Sequence, residues 1–185
     1  MAKKTIFSIS ISENVIKDSE IDLWIDKTLY FAKQENLKVS NSNLGGYQTP
    51  NVLDAEIANL FGPYIGKSLE ELHNSKANIH VTNLWINENP KASANSLHTH
   101  PHCQFSAIYY KEVHKNCGDL IFYRSDMGSV PEHKVQHEHF NENKYYTVTP
   151  KKGLFIIFPG YLLHSVSPNQ AEKNRVSVSF NFNLE

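Results

Sequence analysis

Three histidines stand at alternate positions in the segment "NSLHTHPHCQFSAIYY", at His98, His100 and His102. Histidine is the side chain that proteins use most often to bind metal ions, and alternate residues of a β-strand project to the same face. The spacing therefore allows two or more imidazoles to reach one ion. It is equally compatible with histidines that end a strand at the surface and bind nothing.

A further candidate ligand lies much farther along the chain, in "GLFIIFPGYLLHSVSPNQ". Pro159 and Gly160 turn the chain after a buried apolar segment, and His164 begins the next segment. His98 and His100 on one strand edge, with His164 on a distant strand, predict three ligands on one side of an ion. Such a site leaves coordination positions open for a substrate and for dioxygen.

An arginine near the end of the chain stands in the alternating segment "RVSVSF". The apolar residues of this segment share one predicted face, and Arg175, Ser177 and Ser179 share the other. An arginine that faces a barrel interior needs a carboxylate partner, because an unpaired buried charge is very costly. The planar guanidinium suits two-point binding of a carboxylate, and Ser177 offers a hydroxyl beside it. The alternative is a rim arginine that points into water.

The elements that must position these residues begin with a strand and two helices. Residues 4–11 alternate and predict an opening strand. A first helix should follow, with Asp18 or Ser19 as its N-cap, and a second at about residues 53–72, interrupted near "FGPYIG". The apolar positions of the first helix are Ile21, Trp24, Ile25, Leu29 and Phe31.

From about residue 76 the chain consists of short segments rich in β-branched and aromatic residues, separated by turn signals. We predict an α+β fold that is mainly β, in which N-terminal helices pack against a sandwich or barrel. A chain of 185 residues is expected to form a single domain. Residues 1–75 would supply the opening strand and supporting helices, and residues 76–185 the β core.

Composition narrows the classes of partner. The formal net charge of -1 gives no reason to expect nucleic acid or an anionic membrane. No apolar run approaches membrane-spanning length, and the N-terminus does not read as a signal peptide. The two cysteines, Cys103 and Cys117, form no C-x-x-C pair, so reduced thiols in a cytoplasm are the simplest interpretation.

Three stretches resemble the iron(II)- and 2-oxoglutarate-dependent oxygenases, which are built on a double-stranded β-helix, a jelly roll shared with the cupins. They are "HTHPHCQFSAIYY", "GDLIFYRSD" and "PKKGLFIIFPGYLLHSVSPNQAEKNRVSVSFNF". They occupy about the last half of the chain and follow the order of the family. In particular the chain resembles an oxygenase family with an "HTHP…SGVYY"-type signature, and more distantly the prolyl hydroxylases.

The resemblance implies a hydroxylase that uses Fe(II), 2-oxoglutarate and dioxygen and releases succinate and carbon dioxide. His98 takes the position of the first iron-binding histidine, His164 that of the distal one, and Arg175 that of the arginine that pairs with the far carboxylate of 2-oxoglutarate. Tyr110 and Ser177 offer further hydroxyl groups to the co-substrate, although ordinary barrel packing explains Tyr110 nearly as well. The expected substrate is a small molecule or a peptide, and enzymes with this core often form homodimers.

His100 departs from the usual pattern, in which a carboxylate stands two positions after the first histidine. A neutral imidazole there leaves the ion with one more positive charge. Either the ion has three histidine ligands, or His100 turns away and water or a remote acid such as Asp119 replaces it. The segment His133–His139 is expected to be a lid over the pocket rather than a second metal site.

Two other functions stay open at this point. A cupin-like metalloprotein with three histidine ligands, either a dioxygenase or an isomerase, would not use 2-oxoglutarate, although Gln104 stands where cupins usually have a glutamate. A non-catalytic binding module would keep the scaffold and lose turnover. Arg175 and Ser177 favour the oxygenase, because a cupin has no particular need of them.

Overall fold

The computed structural model describes residues 8–73, 77–124 and 145–185, and neither helix in them is long and apolar enough to cross a membrane. The helices are α1 (Ser19–Gln34) and α2 (Ala55–His73). The strands are β1 (Ser12–Val15), β2 (Asn43–Leu44), β3 (Tyr47–Gln48), β4 (Ile79–Asn89), β5 (Ala94–His98), β6 (Phe105–Glu112), β7 (Leu120–Tyr123), β8 (Tyr145–Val148), β9 (Leu154–Pro159), β10 (His164–Val166) and β11 (Arg175–Leu184). One antiparallel sheet has the order β1-β9-β6-β11-β4-β3 and the other the order β2-β5-β10-β7-β8. The predicted fold, a mainly β jelly roll with N-terminal helices, is confirmed.

Helix α1 begins at one of the two predicted caps. The carboxylate of Asp18 accepts hydrogen bonds from two backbone N–H groups of the first turn, at 2.9 and 3.3 Å. Four of the five predicted apolar positions are buried, but Phe31 is 59% exposed. That prediction is wrong because the helical period returns to the buried side at Ala32, three residues after Leu29.

Helix α2 runs without interruption through Gly62, Pro63 and Gly66, so the predicted break near "FGPYIG" is wrong. Proline removes one backbone donor and costs about 3 kcal/mol in a helix interior. A stripe of apolar side chains at four-residue spacing offsets this cost, since burying each one contributes roughly 1.5–3 kcal/mol. These side chains are at most 2% exposed: Ile57, Phe61, Ile65 and Leu69.

The first strand lies later in the chain than predicted. Residues 8–11, the described part of the predicted strand at 4–11, are not in a strand. β1 instead pairs antiparallel with β9, with Ser12 opposite Ile157. It forms an edge of the six-stranded sheet, so the N-terminal part of the chain contributes a strand to the β core itself.

Two apolar layers lie on opposite faces of the six-stranded sheet. On one face, side chains such as Tyr109 and Phe180 pack against Phe61 of helix α2. On the other face, a second cluster fills part of the space between the two sheets and includes Tyr110 and Phe158. Because successive residues of a strand point to opposite faces, every other side chain of β6 and β11 enters this space between the sheets.

Candidate metal and co-substrate site

Three imidazoles meet between the two sheets. β5 ends at His98 and β10 begins at His164, and these two residues are cross-strand partners. The possible ligand atoms of His98, His100 and His164 all lie within 4.8 Å of one another. Nε2 of His100 lies 3.2 Å from Nε2 of His164, close to the roughly 3 Å that separates adjacent nitrogens when each bond to an ion measures about 2.1 Å. Among the described residues, no other group of histidine, cysteine and acidic side chains has such an arrangement.

His100 lies in the turn after β5, whereas strand alternation predicted it on the same strand as His98. The strand ends at His98, and the backbone N–H of His100 donates a hydrogen bond to the carbonyl of Gly160, at 2.8 Å. A Cβ atom at position 160 would lie 2.6 Å from the sulfur of Cys103 and 3.0 Å from the carbonyl oxygen of His100. Glycine is therefore required at this position for the two segments to approach, and the approach places His100 beside His164.

Hydrogen bonds fix the ring nitrogen that two of the histidines present. Nδ1 of His98 lies 2.7 Å from the carbonyl oxygen of Ser96, and Nδ1 of His164 lies 2.8 Å from that of Leu162. Because a carbonyl oxygen only accepts, each Nδ1 carries the proton and donates it. The lone pair on each Nε2 is then left for an ion.

Burial keeps these imidazoles in their neutral form. It lowers the pKa of His98 below its ordinary value, despite the hydrogen bond to Ser96. It also lowers the pKa of His100 to about 3 and that of His164 to about 4, with a further decrease from the neighbouring imidazoles. Metal ions bind neutral imidazole, so near pH 7 this cluster can accept an ion without first releasing protons.

A narrow cavity, which we call the inner cavity, connects the three histidines with Arg175. Ser177 and Ser179 line it beside the arginine, whereas Val178 and Phe180 pack against the helices. The predicted division of "RVSVSF" into two faces is therefore confirmed. The volume of the inner cavity is about 30 Å³, so the side chains that line it must move before a ligand larger than water can bind.

Arg175 is buried without an acidic partner among the described residues. Its side chain is 1% exposed. Nη1 donates to the carbonyl of Cys117 at 2.7 Å, and Nε is buried without a hydrogen-bond partner. Burial lowers the pKa of the guanidinium, but arginine stays charged near pH 7. A buried cation of this kind favours an anionic ligand, and the unpaired Nε can bind one oxygen of a carboxylate.

Gly118 is a further residue of the site, which the sequence analysis did not single out. Its φ is 92°, a backbone conformation that favours glycine. A Cβ atom here would lie 2.2 Å from the carbonyl oxygen of Ser167 and 2.9 Å from Nη1 of Arg175. The absence of a side chain at position 118 therefore allows the guanidinium to reach its place at the end of the inner cavity.

The remaining sequence-based candidates have different positions. Tyr110 lines the inner cavity, and burial raises the pKa of its phenol to about 12, although Arg175 opposes this shift. Asp119 is not brought to the histidines; it lines a separate surface cleft together with lysines. His102 lies in an exposed turn with a φ of 70°. The segment His133–His139 falls outside the described residues.

A larger cleft, which we call the outer cleft, opens on the same histidines and has a volume of about 570 Å³. The segment that precedes α2 forms much of its wall, including Gln48 and Asn51. This segment was not singled out in the sequence analysis, which missed its contribution to the site. Trp85, His98 and His100 line both cavities, so the outer cleft gives access to the histidine cluster.

Comparisons with known proteins agree with this architecture. The sequence matches a family model described as "Putative 2OG-Fe(II) oxygenase" over residues 83–181, more than half of the chain. A comparison with curated proteins finds no significant match. Among solved structures, a prolyl-4-hydroxylase from Pseudomonas putida is similar at 14% identity with a TM-score of 0.58, over 94% of this chain and 93% of the other.

Two further structures share the fold. A viral collagen prolyl hydroxylase from Paramecium Bursaria Chlorella virus-1 is 12% identical with a TM-score of 0.59, over 93% of this chain and 94% of the other. The α-ketoglutarate-dependent epimerase SnoN from nogalamycin biosynthesis is 13% identical with a TM-score of 0.66, over 94% of this chain and 75% of the other. At such identities the structures establish a common fold, and the reactions in their names remain their own.

The matched region contains the histidine cluster and the arginine described above. It extends from β4 to β11 and includes His98, His164 and Arg175. The three histidines are a donor set that can hold a metal ion. The chain belongs to the 2OG-Fe(II) oxygenase family, whose members use iron(II) and 2-oxoglutarate.

Proposed function

We propose that the protein hydroxylates a C–H bond of a small-molecule or peptidyl substrate, with iron(II) held by His98, His100 and His164. We place the far carboxylate of 2-oxoglutarate at Arg175. When bound, iron(II) and 2-oxoglutarate supply the oxidising chemistry: 2-oxoglutarate loses carbon dioxide and takes one atom of dioxygen to become succinate, and the substrate takes the other atom. The residues of the chain bind and orient these groups and exclude water.

The observation that carries this proposal is the isolated charge of Arg175. The guanidinium is buried at the end of the inner cavity, and no acidic side chain among the described residues pairs with it. The same cavity is lined by three neutral imidazoles, so one molecule with two separated acidic groups could bind both an ion at the histidines and the guanidinium once the lining side chains move apart. A metalloprotein that binds no anionic ligand here would leave the buried cation unpaired, which is costly.

Two hydroxyl groups support the placement of the carboxylate. The raised pKa of Tyr110 keeps its phenol protonated near pH 7, so that it can donate a hydrogen bond into the inner cavity. The side chain of Ser177 lines the cavity next to Arg175. The apolar side chains of Ile108 and Val166 also line the cavity, and a less polar surrounding strengthens the attraction between the guanidinium and a carboxylate.

The imidazole at position 100 supports a second candidate function. Three neutral ligands leave the full double positive charge on an ion, whereas a carboxylate ligand would reduce it. This excess charge favours a dianionic co-substrate, but a three-histidine set is also what a cupin-like dioxygenase or isomerase without 2-oxoglutarate would need. The proposed reaction and this alternative therefore share the metal ligands and differ in the role of Arg175.

Purified protein loaded with iron(II) distinguishes these functions. Under argon, addition of 2-oxoglutarate should produce the visible charge-transfer band of an iron(II)–2-oxoglutarate complex. Admission of air with candidate substrates present should then give succinate, because the substrate accepts the second oxygen atom. A protein that binds iron(II) and gives neither signal would be of the cupin-like type. A band without succinate, even with candidate substrates present, would indicate a non-catalytic binding module.

Alanine substitutions should separate His100 from its neighbour His102. His100→Ala is expected to weaken iron(II) binding by roughly tenfold or more, since changing even a group that only orients a ligand costs 10–100-fold. His102→Ala should bind iron(II) like the parent, because its side chain is exposed and outside the cluster. His100→Asp should retain iron(II), since it restores the usual carboxylate. Titration of the metal-free variants under argon measures these affinities, and parent-like binding by His100→Ala would remove His100 from the ligand set.

A further inference from the structure

The outer cleft is rich in hydrogen-bonding groups and poor in charge. None of the described residues that line it is aspartate, glutamate, lysine or arginine. Five of them carry primary amides: Asn41, Gln48, Asn51, Asn83 and Asn181. Because His98 and His100 also line the cleft, a molecule bound there lies against the proposed iron site.

Gln48 lines this cleft and carries an unsatisfied side-chain group. Its side chain is only 3% exposed, and Oε1 is buried without a hydrogen-bond partner. Its backbone is well fixed, since β3 pairs Gln48 with Asn87 and its carbonyl accepts a hydrogen bond from Val39 at 2.9 Å. A buried carbonyl oxygen without a donor is unfavourable and therefore requires an explanation. A ligand with an N–H group would supply the missing donor once rotation of the side chain turns the oxygen into the cleft.

Asn51 and Asn181 present the complementary kind of group. Oδ1 of Asn51 accepts hydrogen bonds from the backbone N–H groups of Leu53 and Leu84, at 3.2 and 3.0 Å. Because both partners are donors, this end of the amide is the oxygen, and the other end is an NH₂ donor on a residue that lines the cleft. Oδ1 of Asn181 likewise accepts from the hydroxyl of Ser106 at 2.7 Å, which leaves a second NH₂ group.

Trp85 lines both the outer cleft and the inner cavity. An aromatic face beside these donors and acceptors suits a flat polar group. An amide is flat, offers an N–H to Gln48 and offers a carbonyl oxygen to the asparagines. A carboxylate or an ammonium group would instead lose much of its hydration without gaining a counter-charge from the described lining residues.

We propose that the outer cleft binds an uncharged substrate that carries an amide group, and that Gln48 determines this specificity by accepting the N–H of the substrate. This inference rests on the proposed function, because it is the proposed iron site that makes a molecule in the cleft a substrate.

Three small probes test the predicted preference. They are N-acetylalanine N-methylamide, which is neutral, N-acetylalanine, which has a free carboxylate, and methyl glucoside, which is neutral but has no amide. Each is titrated under argon into protein loaded with iron(II) and 2-oxoglutarate, and the paramagnetic relaxation of its protons reports binding beside the metal. The neutral amide should bind at least about tenfold more tightly than either of the others. Equal binding of the three, binding of none, or a preference for another probe would overturn the proposal.

Gln48→Met tests the role of the side chain, because methionine has a similar length and no polar amide. The variant should lose about tenfold or more in affinity for the neutral amide, keep the charge-transfer band, and unfold at the same or a higher temperature than the parent. A merely structural glutamine would instead show a lower unfolding temperature with parent-like probe binding, which would contradict the proposal. Gln170→Met, at an exposed position away from the outer cleft, is the matched control and should behave like the parent.

The two proposals fail in different ways. If the charge-transfer band forms and the neutral amide does not bind, the substrate class is wrong and the proposed function stands. If the band does not form in the parent, the proposed function fails and the inference fails with it.

Discussion

His164→Ala is expected to abolish tight iron(II) binding. The imidazole is 2% exposed, its Nδ1 is held by the carbonyl of Leu162, and its Nε2 lies 3.2 Å from that of His100. Its removal leaves two protein ligands, so the ion loses both a bond and the arrangement of three ligands on one side. We expect a decrease in affinity beyond the 10–100-fold that accompanies the loss of an orienting group. Iron content after dialysis against a weak chelator measures the effect.

A matched control keeps this result interpretable. His102→Ala removes an exposed histidine from the same region and should retain iron like the parent. Circular dichroism and thermal unfolding of both variants show whether the fold is intact, which matters because position 164 is buried. A folded His164→Ala variant with unchanged iron content would remove His164 from the site.

Arg175→Leu should separate co-substrate binding from metal binding. Iron(II) should bind as in the parent, because Arg175 lies at the other end of the inner cavity from the histidines. Binding of 2-oxoglutarate should weaken by the roughly 2–5 kcal/mol that is lost when a buried charge pair is broken. This corresponds to roughly 30-fold to several thousand-fold in the dissociation constant. Anaerobic titration followed by the charge-transfer band measures the change.

Arg175→Lys provides the graded comparison. Lysine keeps the positive charge but cannot form two parallel hydrogen bonds, so it should recover only part of the affinity. The bond that Nη1 donates to the carbonyl of Cys117 would also change its geometry. If both variants bind 2-oxoglutarate as tightly as the parent, the assignment of Arg175 is wrong, and the cupin-like alternative gains support.

Periodicity in the sequence was sufficient to predict most of the buried positions in α1 and the two faces of the segment that begins β11, although it failed at Phe31. The alternation of "RVSVSF" placed Arg175 toward the space between the sheets, and the charge of Arg175 then made a carboxylate partner the natural expectation. The start of α1 was predicted to within one residue, at Asp18 or Ser19, and Asp18 is the cap. These predictions were possible because the pattern extends over enough residues for one face to be buried and the other not.

Sequence patterns did not predict the elements whose formation depends on contacts with distant segments of the chain. Helix α2 continues through Pro63 because it buries apolar side chains against the sheet. The local sequence around Pro63 does not reveal this packing. β2 and β3 have two residues each and exist through their pairing with β5 and β4. The position of Gln48 at the outer cleft therefore depends on its pairing with Asn87, which lies about forty residues farther along the chain. Hydrogen-bonding partners of this kind cannot be recognised from one segment alone.

The two ends of the inner cavity belong to different sheets. His98 and His164 are on strands of the five-stranded sheet, whereas Tyr110 and Arg175 are on strands of the six-stranded sheet. A ligand that binds the metal at one end and the guanidinium at the other would hold the two sheets together. Separation of the two sheets would then require release of the ligand. By mass action, such a ligand at 100 times its dissociation constant adds about 2.7 kcal/mol to the free energy of unfolding. Occupancy of the site would in this way slow the exchange of amide hydrogens in both sheets, including strands that never touch the ligand.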